Sequence, residues 1–298
     1  MPKIKKGNLH TGTSGWIYGD WDGIFYPENL PSKDKLKYFS SHFKTTEINY
    51  SFYHLPRPKT YENWYNQTTK DFTFAVKASR FITHIKRLEG VKDAWERFLE
   101  NTLHLKEKLG PILFQFPTSF KAGDENIKRL KGFLKLISST NIRSTFEFRH
   151  KSWCDEAIYN ILKRFNMAWV IADSPKYPKA KAVTANFIYI RMHGSTALFS
   201  SKYTYEELKT LAQKIQAWLK KGFDVYVYFN LRIPCSKLQG ILKLNHRYRQ
   251  STNSSILFDC YHVIYPSRIC SNSYLVKHIS HDLILMLFGL LNIIESSE

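Results

Sequence analysis

A closed (β/α)8 barrel of the TIM type is predicted by three features of the sequence. Eight short β-branched and aromatic runs occur along it, amphipathic stretches of helical period alternate with them, and no glycine-rich dinucleotide fingerprint follows any of the runs. The alternation describes repeated βα units around a parallel sheet. The missing fingerprint argues for closure rather than an open doubly wound sheet.

In order, the strands are expected at His10–Gly15, Thr45–Tyr50, Phe72–Ala78, Ile112–Phe116, Thr145–Arg149, Ala168–Asp173, Phe187–His193 and Asp224–Asn230. Helices are expected at Asp34–Phe43, Tyr61–Thr68, Asp93–Lys108, Glu125–Ile137, Asp155–Phe165 and Tyr205–Lys220, with Asp124 and Thr204 as plausible caps. The stretch after Asp173 carries Ser174, Pro175 and Pro178 among lysines, so it reads as an irregular crossover without a helix. Residues 1–230 form the barrel domain in this reading. From Leu231 the βα rhythm is lost, three of the four cysteines follow, and Leu283–Ile294 is an apolar run too short to span a bilayer.

Composition narrows the function classes. With 43% hydrophobic and 15% aromatic residues in 298, the chain can bury a large core. Met1 to Asn8 is basic but no signal-peptide run follows, and no stretch reaches the length of a membrane span, so the expected location is cytoplasmic with no membrane partner. Cys154, Cys235, Cys260 and Cys270 match neither a zinc pattern nor a dense disulfide framework, in keeping with a reducing compartment. The net charge of +19 concentrates anions; segment 231–298 holds seven Lys and Arg against four Asp and Glu, leaving +16 on the barrel. The lysines are spread along many helices, as a solvated basic surface would have them.

Strands buried on both faces should be almost wholly apolar, yet each of these carries polar residues toward its carboxyl end. Strand one ends in Thr13-Ser14-Gly15-Trp16, strand two holds Glu47 and Asn49, strand three Lys77, strand four Gln115 and strand five Glu147 and Arg149. Strand six ends in Asp173, strand seven holds Arg191 and His193, and strand eight ends in Asn230. Side chains two apart on a strand share a face, so Glu47 with Asn49, Glu147 with Arg149, and Arg191 with His193 are same-face pairs. Barrel enzymes build their active sites at these strand ends, and the recurrence reads as a pocket. The bland alternative makes Glu47–Lys77 and Glu147–Arg149 ion pairs that tie barrel layers together, with His193 a hydrogen-bonded core histidine. Trp16, Tyr18, Trp21, Phe25 and Tyr26 of the first βα loop suit either a stacking lid or a hydrophobic plug.

These residues also resemble the YecE-like family, built on domain of unknown function seventy-two. The matching strings are Thr13-Ser14-Gly15-Trp16 through Trp21, Gly23 and Phe25-Tyr26-Pro27; Glu47-Ile48-Asn49 with Ser51-Phe52-Tyr53; and Phe74 with Lys77. Further along come Leu109-Gly110-Pro111 through Gln115-Phe116-Pro117, Glu147-Phe148-Arg149-His150 with Ser152-Trp153, Arg191, His193-Gly194, and Tyr228-Phe229-Asn230. The resemblance implies a TIM-type barrel and supplies no reaction. It stops at Asn230: relatives continue with a second Asn, usually an Asp, and a helix opening near Tyr-x-Ala-Val-x-Asn-Ala, whereas Leu231 begins an unrelated stretch. Ile233-Pro234-Cys235-Ser236 can be encoded ATA-CCA-TGC-AGT, which with a following A reads Tyr-His-Ala-Val when shifted by one base. Leu231–Glu298 is therefore expected to be an added segment or a frameshifted product, and the barrel to be incomplete or atypical after its eighth strand.

The expected function is an enzyme acting on a small anionic or polyhydroxylated substrate, by isomerase, hydrolase or lyase chemistry. Lys77, Arg149 and Arg191 would hold a phosphate or carboxylate, with Ser14, Trp16, Asn49, Gln115 and Asn230 completing the binding set. Glu47, Glu147 and His193 are the acid/base candidates. The sequence leaves the cofactor open; a divalent-ion version would use Glu47, Glu147, Asp173 and His193, in competition with the cations. The alternative is nucleic-acid binding or processing, drawn from the charge and the first-loop aromatics, although no recognised binding motif is present.

Overall fold

The computed structural model describes residues 5–23, 25–194 and 205–230. Eight parallel strands close into a barrel in sequence order: β1 Leu9–Thr13, β2 Thr45–Ile48, β3 Thr73–Lys77, β4 Leu109–Gln115, β5 Ser144–Glu147, β6 Ala168–Asp173, β7 Phe187–Met192 and β8 Asp224–Phe229. Closure is made where β1 pairs with β8, from Leu9 opposite Val225 to Thr13 opposite Phe229. Close approach of β1 to β2 requires a glycine, because a Cβ on Gly12 would lie 2.1 Å from the Thr45 carbonyl oxygen.

The helices are α1 Lys35–His42, α2 Tyr50–Tyr53, α3 Pro58–Gln67, α4 Lys92–Thr102, α5 Asp124–Ile137, α6 Glu156–Arg164 and α7 Tyr205–Lys220. Most boundaries shift by one to three residues from the sequence reading, and three of the shifts have clear local reasons. Strand two stops at Ile48 because Asn49 already has helical dihedrals and opens the single turn of α2. Helix three starts earlier, with Pro58 at the first helical position, where its missing N–H costs nothing. The expected Asp93–Lys108 helix ends at Thr102; a 3-10 segment follows, broken at Lys106 by φ of 51°. Asp155 caps α6 by accepting from the Ala157 amide at 2.8 Å, whereas Gly123 takes the cap position of α5 and Asp124 is its first residue. No helix occupies 174–186, as expected. Thr204, Cys235, Cys260, Cys270, Leu283–Ile294 and the frameshift reading fall outside the described residues.

The strands' two faces do different work. Outward residues pack under helices: the Phe114 ring lies 5.7 Å from Trp95 of α4 and 5.0 Å from Phe133 of α5. Inward residues Ala75, Leu113, Ala168, Val170, Ala172, Phe187, Tyr189, Tyr226 and Tyr228 fill the barrel. Counting two residues on from Ala75, Leu113, Tyr189 and Tyr228 reaches Lys77, Gln115, Arg191 and Asn230, so the polar residues continue the inward rows at the carboxyl end. No helix among the described residues is long and apolar enough to cross a membrane.

Candidate active site

At the centre of the inward polar row is Arg191, 1% exposed, with a carboxylate on either side. It donates from Nε to Glu47 Oε2 at 2.9 Å and from Nη2 to Glu47 Oε1 at 2.7 Å, a bidentate pair. Its Nη1 donates to Glu147 Oε2 at 2.5 Å. Glu47 also accepts from Ser14 Oγ at 2.9 Å and from Tyr189 OH at 2.8 Å. Glu147 Oε1 accepts from Gln115 Nε2 and from Arg149 Nε, each at 2.9 Å. Burial alone would raise both carboxyls. The Arg191 charge and these donors outweigh it, holding Glu47 below and Glu147 well below the ordinary carboxylate value. Both are ionised near neutrality.

His193, two residues beyond Arg191 on the same face, is buried with its Nε2 at 3.4 Å from Arg191 Nη1 and 3.9 Å from Glu147 Oε1. Burial and then the Arg191 charge lower its pKa to about 4, so the neutral ring presents Nε2 as an acceptor to the guanidinium. Asp173 pairs with Lys179 at 3.0 Å. The four-ligand divalent-ion arrangement accordingly does not assemble; no group of three such ligands converges among the described residues.

Beside this network opens a cavity of about 530 Å³ lined by Asn49, Phe52, Tyr53, Lys77, Arg80, His84, Gln115, Arg149 and Asn230. Of the residues singled out in the sequence, Asn49, Lys77, Gln115, Arg149 and Asn230 meet at this cavity. Ser14, Glu47, Glu147, Arg191 and His193 lie behind its lining. Trp16 is turned to the barrel's outer packing, edge-on to Trp64 at 5.5 Å and to Phe74 at 6.5 Å. Trp21, Phe25 and Tyr26 are at most 2% exposed and pack on one another, with ring centroids 4.6 to 6.0 Å apart. That is a plug-like cluster.

The cavity's cations are unevenly used. Arg149 places its guanidinium 4.2 Å from the Tyr177 ring and uses Nε on Glu147; no described residue accepts from Nη1 or Nη2. Lys77, 8% exposed, rests its Nζ 4.0 Å from the centre of the Phe52 ring. Burial, then repulsion from Arg191, push this amine down to about 7, against the opposing pull of Glu47 and Glu147. His84 meets Phe52 edge-on at 4.9 Å, and burial together with Lys77 lowers it to about 4.

Sequence reasoning passed over Phe52, Tyr53, Arg80, His84 and Tyr189 as site residues. Tyr189 carried a usable signal, since it stands two residues before Arg191 on the same strand face. Phe52 and Tyr53 sit on the short α2, and His84 lies in a π-helical turn, Phe81–Ile85, where strand alternation gives no guidance.

Comparison with known proteins agrees with the fold. The model of the family described as protein of unknown function DUF72 matches residues 10–254. The UPF0759 protein YunF of Bacillus subtilis (strain 168) is 28% identical over 254 residues, covering 74% of this chain and 88% of its own length. The UPF0759 protein YecE of Escherichia coli (strain K12) is 26% identical over 235 residues, covering 70% and 82%. The crystal structure of a DUF72 family protein from Thermotoga maritima superposes with a TM-score of 0.67 at 29% identity, covering 82% of this chain and 98% of that one.

Proposed function

The chain belongs to the DUF72 family, and we propose that it is an enzyme whose cavity at the carboxyl end of the barrel takes a small anionic or polyhydroxylated substrate. One observation carries the reading: both buried carboxylates are saturated by Arg191 and its neighbours, and among the described residues no carboxylate pairs with the cavity cations Lys77 and Arg80. A phosphate or carboxylate supplies what the protein does not. Arg149 offers for it two Nη donors from which no described residue accepts, and the amides of Asn49, Gln115 and Asn230 suit hydroxyl groups.

Lys77 is the reactive amine in this reading, because it is partly neutral near neutrality and faces the cavity. Glu147 acts as a positioning residue, through its bonds to Gln115 and Arg149, and Glu47 does so through Arg191. His193, neutral behind the lining, supports Arg191. For the nucleic-acid alternative, the first-loop residues Trp16, Trp21, Phe25 and Tyr26 offer no stacking platform, being at most 8% exposed.

Isothermal titration with inorganic phosphate and with sugar phosphates tests the reading. Wild type should bind, and Arg149→Ala should lose about tenfold to a hundredfold in affinity, the worth of one or two charge-assisted hydrogen bonds. Absence of binding by every phosphate and carboxylate tried, or equal binding by the variant, would overturn it.

A further inference from the structure

We infer that Lys77 is a nucleophilic amine that condenses with the carbonyl group of an anionic aldehyde, ketone or 2-oxoacid held in the cavity. This rests on the reading of the cavity as an anion site and names its substrate class.

Two nearly buried lysines show why Lys77 stands apart. Lys108, 4% exposed, donates to Tyr65 O at 2.7 Å and to Thr68 O and Oγ1 at 3.0 Å each, completing the carbonyls at the end of α3. That lysine is structural. Lys77, 8% exposed, has no hydrogen-bond acceptor and no ion-pair partner among the described residues, only the Phe52 ring. The carboxylates that could neutralise it are committed to Ser14, Tyr189, Arg191, Gln115 and Arg149. An ammonium so placed is poorly compensated. The free amine, with its lone pair available, is correspondingly favoured.

The surroundings suit the electrophile. Lys77 lines the same cavity as Arg80 and Arg149, which can hold a carboxylate or phosphate of the compound whose carbonyl reaches Nζ. In the condensation the nitrogen lone pair forms an N–C bond to the carbonyl carbon, and the C=O π pair moves to oxygen. A proton passes from nitrogen to that oxygen, giving a carbinolamine. The nitrogen pair then forms C=N as the hydroxyl leaves with the second amine proton as water. The balance is one amine and one carbonyl giving one imine and one water, with no oxidant or metal needed.

The test incubates the full-length protein with dihydroxyacetone phosphate or with pyruvate, reduces it with sodium borohydride, and maps adducts by peptide mass spectrometry. Glycerol 3-phosphate, which has the anion without the carbonyl, is the control, and phosphate binding is measured by calorimetry on the same preparation. The expected result is an adduct concentrated at Lys77, competed by inorganic phosphate, reduced at least tenfold in Arg149→Ala and absent from Lys77→Met. The inference is overturned if phosphate binds but Lys77 is labelled no more than the surface lysines. If phosphate does not bind either, the anion-site reading fails with it. Wild-type mapping decides the matter even if Lys77→Met does not fold.

Discussion

Arg191 and Lys77 stand at the carboxyl ends of β7 and β3, on inward-facing rows of one barrel, yet their charges are treated oppositely. Arg191 is enclosed by acceptors on two carboxylates, and its pKa is raised above its ordinary value despite burial. Lys77 receives only the distant pull of those carboxylates, and its amine is lowered to about 7. Burial acts on both in the same direction; the charges of the two carboxylates at Arg191, with their hydrogen bonds, decide the outcome. The paired region is framework. The unpaired region is where the proposed anion would have something to add.

Arg191→Met should break the comparison with the largest effect. It leaves buried Glu47 without its ion pair and Glu147 with Arg149 alone, which costs about 3–5 kcal/mol, read by denaturant unfolding at neutral pH. The pH dependence should also change sign. In wild type the folded pKa values of Glu47 and Glu147 lie below the ordinary 4.5, so their stabilisation is present above that value and lost as pH falls through the depressed ones. In the variant burial raises the Glu47 carboxyl, which has lost its ion pair, and stability should increase as pH falls from neutrality.

Arg149→Ala should separate binding from stability. Glu147 keeps Arg191 and Gln115, so unfolding free energy should drop by only about 1 kcal/mol while anion affinity falls as stated above. A loss of several kcal/mol would place Arg149 in the framework instead.

Lys77→Met should act with the opposite sign, stabilising the protein at the low end of the pH window and changing it least at the high end. The folded pKa of about 7 lies below the ordinary 10.5, so the unfolded state binds more protons between them. Wild-type stability therefore gains a contribution as pH rises through that window, and this contribution should vanish in the variant. Melting temperatures of the two proteins across it should converge as pH rises.

Much of this was legible in the sequence because strand alternation has period two. That period put Glu147 with Arg149 and Arg191 with His193 on shared faces at the carboxyl ends, while the alternation of eight strand-like runs with helical stretches delivered the barrel. Pairing was less legible. Opposite charges on the second and third strands suggested Glu47 with Lys77 as one possible framework pair; closure of the barrel instead brings Glu47 to Arg191, 144 positions away. The Glu147–Arg149 pair, by contrast, is present as adjacency implied. Arg80 and His84 were missed because they lie in the segment that follows β3, where backbone geometry rather than alternation aims the side chain. Fate also depends on acceptors that no spacing rule shows, as Lys77 and Lys108 demonstrate.

The central claim is that the carboxyl end of the barrel separates satisfied charge from an unsatisfied amine. Competitive labelling with trace acetic anhydride, followed by quantitative peptide mapping across pH, measures that amine directly. The account predicts that Lys77 reactivity rises with a midpoint near the value of about 7, well below the other lysines of the chain. A midpoint at or above the ordinary 10.5 would show Lys77 to be as well paired as Arg191, and would contradict it.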